Sequence, residues 1–390
     1  MSNDDRLSLY LHIPFCGHRC SYCDFNTYTS LGDLKGVYAE ALAAEIRQVG
    51  GEDKRKVKTI FFGGGTPSLM SPEQLGVILG AVDEAFELVS GAEVSMEANP
   101  GTVDEAYLGA VRALGINRLS FGVQSVVASE LALLERQHDW ETVVKAVGAA
   151  RAAGFDNFNL DLIYGVPGQT LASWERSLEG VLSLEPTHLS LYCLTIEPGT
   201  PMHRWLHQGQ MAAPDGDLAA DQYEMAGERL AGAGWEHYEI SNWGRPGRPC
   251  EHNLTYWRNG AYLGLGAGAH GHAEGYRYHV VKQPRVYIRR LLGEGWSGEV
   301  RYPWSGAVAE WYELTREERM ADVMITQLRL LAEGVDLAGF EAMFGVGVEG
   351  VWGDDVRQLK GWGLLAEVEG RLLLTERGRF LSNQVFVRFV

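Results

Sequence analysis

Six times between Leu7 and Ala233 a short β-type run leads into a segment of helical spacing. That alternation restricts the fold more than any other feature of the chain. The β-type runs are 7–13, 58–62, 93–97, 118–123, 157–163 and 188–194. The helical segments are 37–49, one starting at Ser71-Pro72, then 104–114, 141–153, 173–184 and 218–233. Ser71 has the chemistry of a helix cap and Pro72 that of a first-turn residue. Strands alternating with helices of this length predict βαβ units and a parallel sheet. Six units predict an α/β fold, a partial (β/α)6 barrel smaller than the eight-fold one. Its site is expected at the carboxyl ends of the strands.

The first strand runs straight into Cys16-Gly17-His18-Arg19-Cys20-Ser21-Tyr22-Cys23. Pro14 and Gly17 break the pattern and put three of the five cysteines on a loop. Thiolates are soft ligands suited to zinc, copper(I) or iron–sulfur clusters. A structural zinc needs a fourth ligand; Cys193 and Cys250 are far away in sequence, and His18 sits inside the loop itself. A cubane iron–sulfur cluster held by three cysteines leaves one iron open to an outside ligand. A zinc knuckle, a disulfide or incidental clustering are the other readings.

Polar residues stand at the ends of the following strands. Gly63-Gly64-Gly65-Thr66 follows the second; a tight turn is the plainer reading of that run, although glycines also expose backbone N–H groups to a ligand. Glu97 ends the third strand, Gln124 the fourth with Arg136 after it, and Asp161 lies in the fifth. Singly, each is an ordinary satisfied polar group. On successive strand ends they form a cup opposite the cysteine loop.

The C-x3-C-x2-C spacing followed by this ordered set resembles the radical S-adenosylmethionine (SAM) proteins related to oxygen-independent coproporphyrinogen dehydrogenase, HemN. The match runs from about Leu7 to Glu239 and more weakly to the end. The resemblance implies that Cys16, Cys20 and Cys23 bind a 4Fe–4S cluster whose open iron chelates SAM. It implies that Tyr10, Gly64, Thr66, Glu97, Gln124, Arg136 and Asp161 surround SAM. Tyr22 and Gly65 match positions lining SAM or a second SAM-sized site.

A second stretch, Cys250-Glu251-His252-Asn253-Leu254-Thr255-Tyr256-Trp257, lies in an aromatic and glycine-rich region. His, Cys and Tyr are haem ligands by type, and Tyr and Trp offer flat faces to a macrocycle. A buried His-Asn turn with two core aromatics is the plainer reading. His252-Asn253-x-x-Tyr256-Trp257 resembles the HNxxYW signature of haem chaperones and some haem-degrading relatives. Gly264-Leu265-Gly266-Ala267-Gly268-Ala269-His270-Gly271 resembles the loop that follows it. His252 is the first candidate haem ligand; Cys250 and His270 rank below it, with Asn253, Tyr256 and Trp257 beside them.

From about Glu310 the pattern changes. A helix from Thr315 through Leu331, two more at 337–344 and 351–362, and a hairpin turned at Glu369-Gly370 resemble a winged-helix domain. The expected domains are 1–235, the radical-SAM partial barrel; 236–309, an irregular extension carrying HNxxYW; and 310–390, winged-helix-like. The last carries 9 basic and 14 acidic residues, so it is read as a packing or lid domain and not a DNA reader.

The net charge of −17 also argues against nucleic acid as a partner. No apolar run reaches the roughly 18 residues of a membrane span, and the polar start, Met1 to Arg6, is not a secretory signal. Cysteine usage fits the reducing cytosol.

Three functions compete. The first is a haem chaperone that hands haem to apo-haemoproteins; the second is oxidative decarboxylation of coproporphyrinogen III; the third is a haem-degrading methyltransferase. The dehydrogenases carry a cysteine two residues after the third, where this chain has Phe25, and a longer N-terminal extension. Both departures favour the chaperone and leave enzymatic activity open. The resemblance implies respiratory haem enzymes as acceptors and peripheral contact at the inner face of a membrane. Monomer and dimer both remain open.

Overall fold

The computed structural model describes residues 5–51, 54–293 and 300–390; residues 1–4 of the start read above against a secretory signal lie outside them. Six parallel strands form its centre: β1 (Leu7–Ile13), β2 (Lys56–Gly64), β3 (Glu87–Ala98), β4 (Arg118–Gln124), β5 (Phe158–Tyr164) and β6 (His188–Cys193). They lie side by side in sequence order. β1 and β5 are buried almost end to end, as expected of strands covered on both faces. In register, Glu97 sits beside Ser120, and Gly122 beside Asp161 beside Ser190. The polar residues therefore form a band across the strands.

The covering helices are α1 (Lys35–Gly50), α2 (Pro72–Ala85), α3 (Glu105–Ala113), α4 (Ala128–Leu133), α5 (Trp140–Ala152), α6 (Leu171–Ser183), α7 (Pro201–His207) and α8 (Gly216–Gly232). Their starts are chemically marked. Ser71 accepts from Gln74 N, and the Gln74 side chain returns to Ser71 N, with Pro72 in the first turn. Asp104 and Asp139 cap α3 and α5 by accepting from Tyr107 N and Thr142 N.

The stretch after residue 235 is more regular than its sequence predicts. It holds β7 (Glu236–Glu239), β8 (Asn242–Gly244), α9 (Glu251–Trp257), β9 (Tyr262–Leu265), β10 (His270–Ala273), β11 (Tyr276–Val280), α10 (Pro284–Leu292) and β12 (Val308–Glu313). These strands extend both edges of the barrel sheet, in the order β12-β11-β10-β9-β1-β2-β3-β4-β5-β6-β8-β7 among the described residues. β9 pairs parallel with β1. Strands of three to five residues, rich in Gly and His, are too short for a period of two to stand out.

The C-terminal part has α11 (Arg316–Gln327), β13 (Val335–Asp336), α12 (Leu337–Phe344), α13 (Val348–Gly361), β14 (Leu365–Val368), β15 (Arg371–Leu374), α14 (Glu376–Phe380) and α15 (Ser382–Phe386). Met324, Phe340, Leu359, Leu372 and Phe389 form its own core. The hairpin turns at Glu369 and Gly370, both at positive φ, as a two-residue turn requires. The predicted helix through Leu331 ends at Gln327. Beyond it the chain leaves the helix to dock: Leu331 N donates to Tyr238 O and Leu330 bridges to Glu239. Ion pairs Arg258–Glu333 (2.6 Å) and Arg277–Asp322 (2.7 Å) add to this contact.

Candidate functional site

A cavity of about 750 Å³ opens at the carboxyl ends of the central strands. All three loop cysteines line it, as do Tyr10, Tyr22, Gly64, Gly65, Thr66, Glu97, Gln124, Arg136 and Asp161. The strand-end cup read from sequence is thus one continuous wall.

The loop thiols are free. Thr66 Oγ1 donates to Cys16 Sγ at 3.5 Å, and Arg136 Nη1 to Cys20 Sγ at 3.5 Å. Burial pushes the Cys16 and Cys23 thiols up from their ordinary value. Among the described residues no three His, Cys, Asp or Glu side chains converge on a single-ion site. A cubane places each thiolate on a different iron, and the three loop thiols line the same cavity.

Gly64 has φ +114, and its backbone N–H donates to Glu97 Oε2 at 2.9 Å. A Cβ at Gly64 would lie 2.4 Å from the His12 ring. That ring is fixed: Nε2–H donates to Asn26 O (3.0 Å), leaving Nδ1 to accept from Tyr10 OH (3.1 Å). A Cβ at Gly65 would lie 2.6 Å from the Phe15 carbonyl. The glycine run is therefore a close backbone approach as well as a turn.

Burial, reinforced by the Asp161 carboxylate, raises Glu97 to about 7. Asp161 is itself raised by burial, opposed by hydrogen bonds from Asn159 (2.6 Å) and Ser190. Arg136 Nη2 donates to Gly122 O at 2.7 Å, while its Nε has no partner. Gln124, held at φ 70, leaves its buried Oε1 unpartnered. Orphaned buried donors and acceptors aimed into a cavity are the mark of a polar ligand site. The Glu97 carboxylate and the Arg136 guanidinium line the same cavity and are complementary in charge to an amino-acid zwitterion.

Opposite the cysteine loop the cavity is floored by α9. Cys250, His252, Asn253 and Tyr256 line it. Glu93 seats this helix: its carboxylate accepts from Glu251 N (3.1 Å), His252 N (3.2 Å) and Cys250 Sγ (3.6 Å), and Arg118 stands 3.9 Å behind it. An acid at a helix N-terminus is favoured by the orphan N–H groups there.

His252 is fully buried, stacked on Phe61 at 5.2 Å, and bonded at both nitrogens. Thr59 Oγ1 spends its proton on Ser8 Oγ (2.7 Å), so it accepts from His252 Nδ1–H (2.7 Å). Nε2 then accepts from Tyr256 OH at 2.8 Å. Burial pushes this imidazole down to about 3, so it is neutral at physiological pH. Its one lone pair faces Tyr256.

Two haem candidates lie elsewhere. Trp257 points away from the cavity to Arg329, whose guanidinium is 4.2 Å from its ring centre. His270 is exposed on β10, paired across strands with His279. Sequence reading missed Arg118, Ser120, Asn159, Ser190 and Tyr192, which line the cavity. Their signal is the inward alternation along β4, β5 and β6.

This barrel, with three free thiols and a set of strand-borne polar residues lining one cavity, has the make-up of a radical-SAM protein. The model of the Radical SAM superfamily matches residues 10–180 and that of the HemN C-terminal domain residues 314–381. The Mycobacterium tuberculosis protein named Heme chaperone HemW is 39% identical over 382 residues, 97% of this chain and 93% of that protein. The Bacillus subtilis protein of the same name is 36% identical over 385 residues, 98% and 99%. The solved coproporphyrinogen III oxidase (HemN) of Escherichia coli superposes with a TM-score of 0.84 at 25% identity, covering 99% of this chain and 90% of that one. The chain belongs to the HemW family. Its cofactors are a 4Fe–4S cluster and SAM.

Proposed function

We propose that the protein is a haem chaperone, binding haem and passing it to apo-haemoproteins. The observation that carries this reading is the placement of α9: its His252-Asn253-x-x-Tyr256 face floors the cavity that the cysteine loop roofs. The HemW relatives, similar over nearly the whole chain, support it.

Cys16, Cys20 and Cys23 would hold the cluster. Arg136 would meet the SAM carboxylate, Glu97 its ammonium, and Asp161 with Asn159 and Ser190 the ribose hydroxyls. The bound cluster supplies one-electron reducing power at the SAM sulfonium. The chain's own part is to orient the zwitterion and keep Glu97 and Asp161 hydrogen-bonded away from water.

His252 as iron ligand requires Tyr256 to turn from Nε2. Phe25, 62% exposed, stands at the rim where the dehydrogenases have a cysteine, and offers a flat face to a macrocycle. Respiratory haem enzymes are the proposed acceptors, met from the cytosolic side by peripheral contact. Among the described residues no helix is long and apolar enough to cross a membrane.

Haem titration beside a coproporphyrinogen assay tests the reading. Saturable haem binding without conversion to protoporphyrinogen is expected; robust conversion with SAM and reductant overturns it. For the ligand, His252→Ala should weaken haem binding or shift the Soret band. Tyr256→Phe should tighten binding several-fold, because one competing hydrogen bond of about 1 kcal/mol is removed. If neither variant changes the spectrum or affinity, iron is held elsewhere.

A further inference from the structure

Outside the cavity, His203 and His207 stand side by side on the exposed face of α7. Their Nε2 atoms are 3.1 Å apart, with ring centroids at 4.3 Å and planes at 62°. Histidines one helical turn apart present two ligands on one face, the arrangement used by helical metal sites. With metal–nitrogen bonds of about 2.0–2.1 Å, this separation subtends roughly 100° at an ion. That angle lies between square-planar and tetrahedral geometry, so the separation suits one shared ion once the rings turn their Nε2 lone pairs from each other towards it.

We propose that His203 and His207 form a two-histidine site for a borderline divalent transition cation such as Zn²⁺ or Ni²⁺. Imidazole suits these ions. The rings share one hydrogen bond, so one Nε2–H donates to the other Nε2. Coordination moves that proton to Nδ1 of the same ring and releases none. Among the described residues no third His, Cys, Asp or Glu joins the pair, which makes the site open and exchangeable.

Its position has a consequence for the cysteine loop. The N–H of Met202, adjacent to His203, donates to Ser21 O at 3.0 Å, between Cys20 and Tyr22. The buried Met202 side chain belongs to the cluster with Leu134, Ile163 and Tyr22 beneath that loop. A chelate across the turn stiffens the helix that braces the loop.

The test titrates Ni²⁺ into the full chain with its cluster assembled, so that the loop thiols are occupied. Wild type should bind one equivalent and gain thermal stability. His203→Gln and His207→Gln are surface changes and should keep the cluster absorbance. Each should weaken Ni²⁺ binding by about tenfold or more, because the effective concentration of the second imidazole is lost. Either single variant binding as tightly as wild type, or a wild type without a stoichiometric site, overturns the proposal and leaves the pair an ordinary hydrogen bond.

Discussion

The Arg329 guanidinium lies 4.2 Å from the centre of the Trp257 ring while its Nη2 stands 3.5 Å from the fully buried Glu239 carboxylate. One side chain of the C-terminal domain thus touches both the HNxxYW helix and the edge strand β7. Arg329→Ala should destabilise the protein by about 2–4 kcal/mol, since it strands a buried carboxylate and removes a cation–π contact. Denaturant midpoints measure this. Arg329→Lys should recover part of the loss. If haem affinity also falls in Arg329→Ala, the C-terminal domain positions α9; unchanged affinity would limit its role to packing.

Glu97 provides a pH-dependent prediction. Its folded value of about 7 exceeds the ordinary 4.5, because burial first and Asp161 second oppose ionisation. Its stabilising contribution is therefore fully present below pH 4.5 and lost as pH rises through 7. Glu97→Gln should match wild type near pH 4 and exceed it above pH 7 by up to about 3 kcal/mol. SAM binding by wild type should tighten as pH rises towards 7 and then level off, because the ammonium needs the carboxylate. Calorimetric titration across pH, showing equal affinity at pH 5.5 and 8, would remove Glu97 as the ammonium partner.

Cys20→Ala should abolish the visible charge-transfer absorbance of the reconstituted cluster and reduce bound iron to background. Full iron retention in that variant would withdraw the cluster assignment.

Two glycines separate backbone strain from ordinary loop tolerance. Gly64→Ala forces a Cβ to 2.4 Å from a ring pinned by two hydrogen bonds, at φ +114. It should cost at least about 2 kcal/mol. Gly17→Ala, whose Cβ meets nothing within 4 Å, should melt like wild type despite lying between two cysteines. Equal melting of Gly64→Ala and wild type would show that the His12 ring can yield.

The legible parts of this chain were those written in local periodicity. β1 to β6 were placed to within a few residues because each is a short apolar run between turn signals, except that β3 begins well before the predicted 93, at Glu87. Glu97 and Gln124 were legible as cavity-lining residues because they stand at the ends of β3 and β4, whereas Asp161 lies mid-strand in β5. What escaped depends on contacts between distant residues. Nothing near His252 in sequence shows that Thr59, 193 positions away, takes its Nδ1 proton. Nothing near Trp257 predicts Arg329. The HNxxYW motif reads as one ligand patch, but a helix turns about 100° per residue. His252 and Tyr256 therefore face inward while Trp257 faces the other domain.

The parallel pairing of Ser8 with Tyr262, and the 2.9 Å bond from Ser8 Oγ to Thr255 Oγ1, join residues about 250 positions apart in the chain. During synthesis β1 acquires its second neighbour only after some 250 more residues have been added. Until then β1 has β2 on one side and an unpaired edge on the other, the kind of edge that recruits foreign strands. The cysteine loop follows directly from that strand and is complete long before α9 exists. The sheet is thus built with its β1 edge open, and chains truncated before Tyr262 should accumulate as aggregates with their thiols exposed.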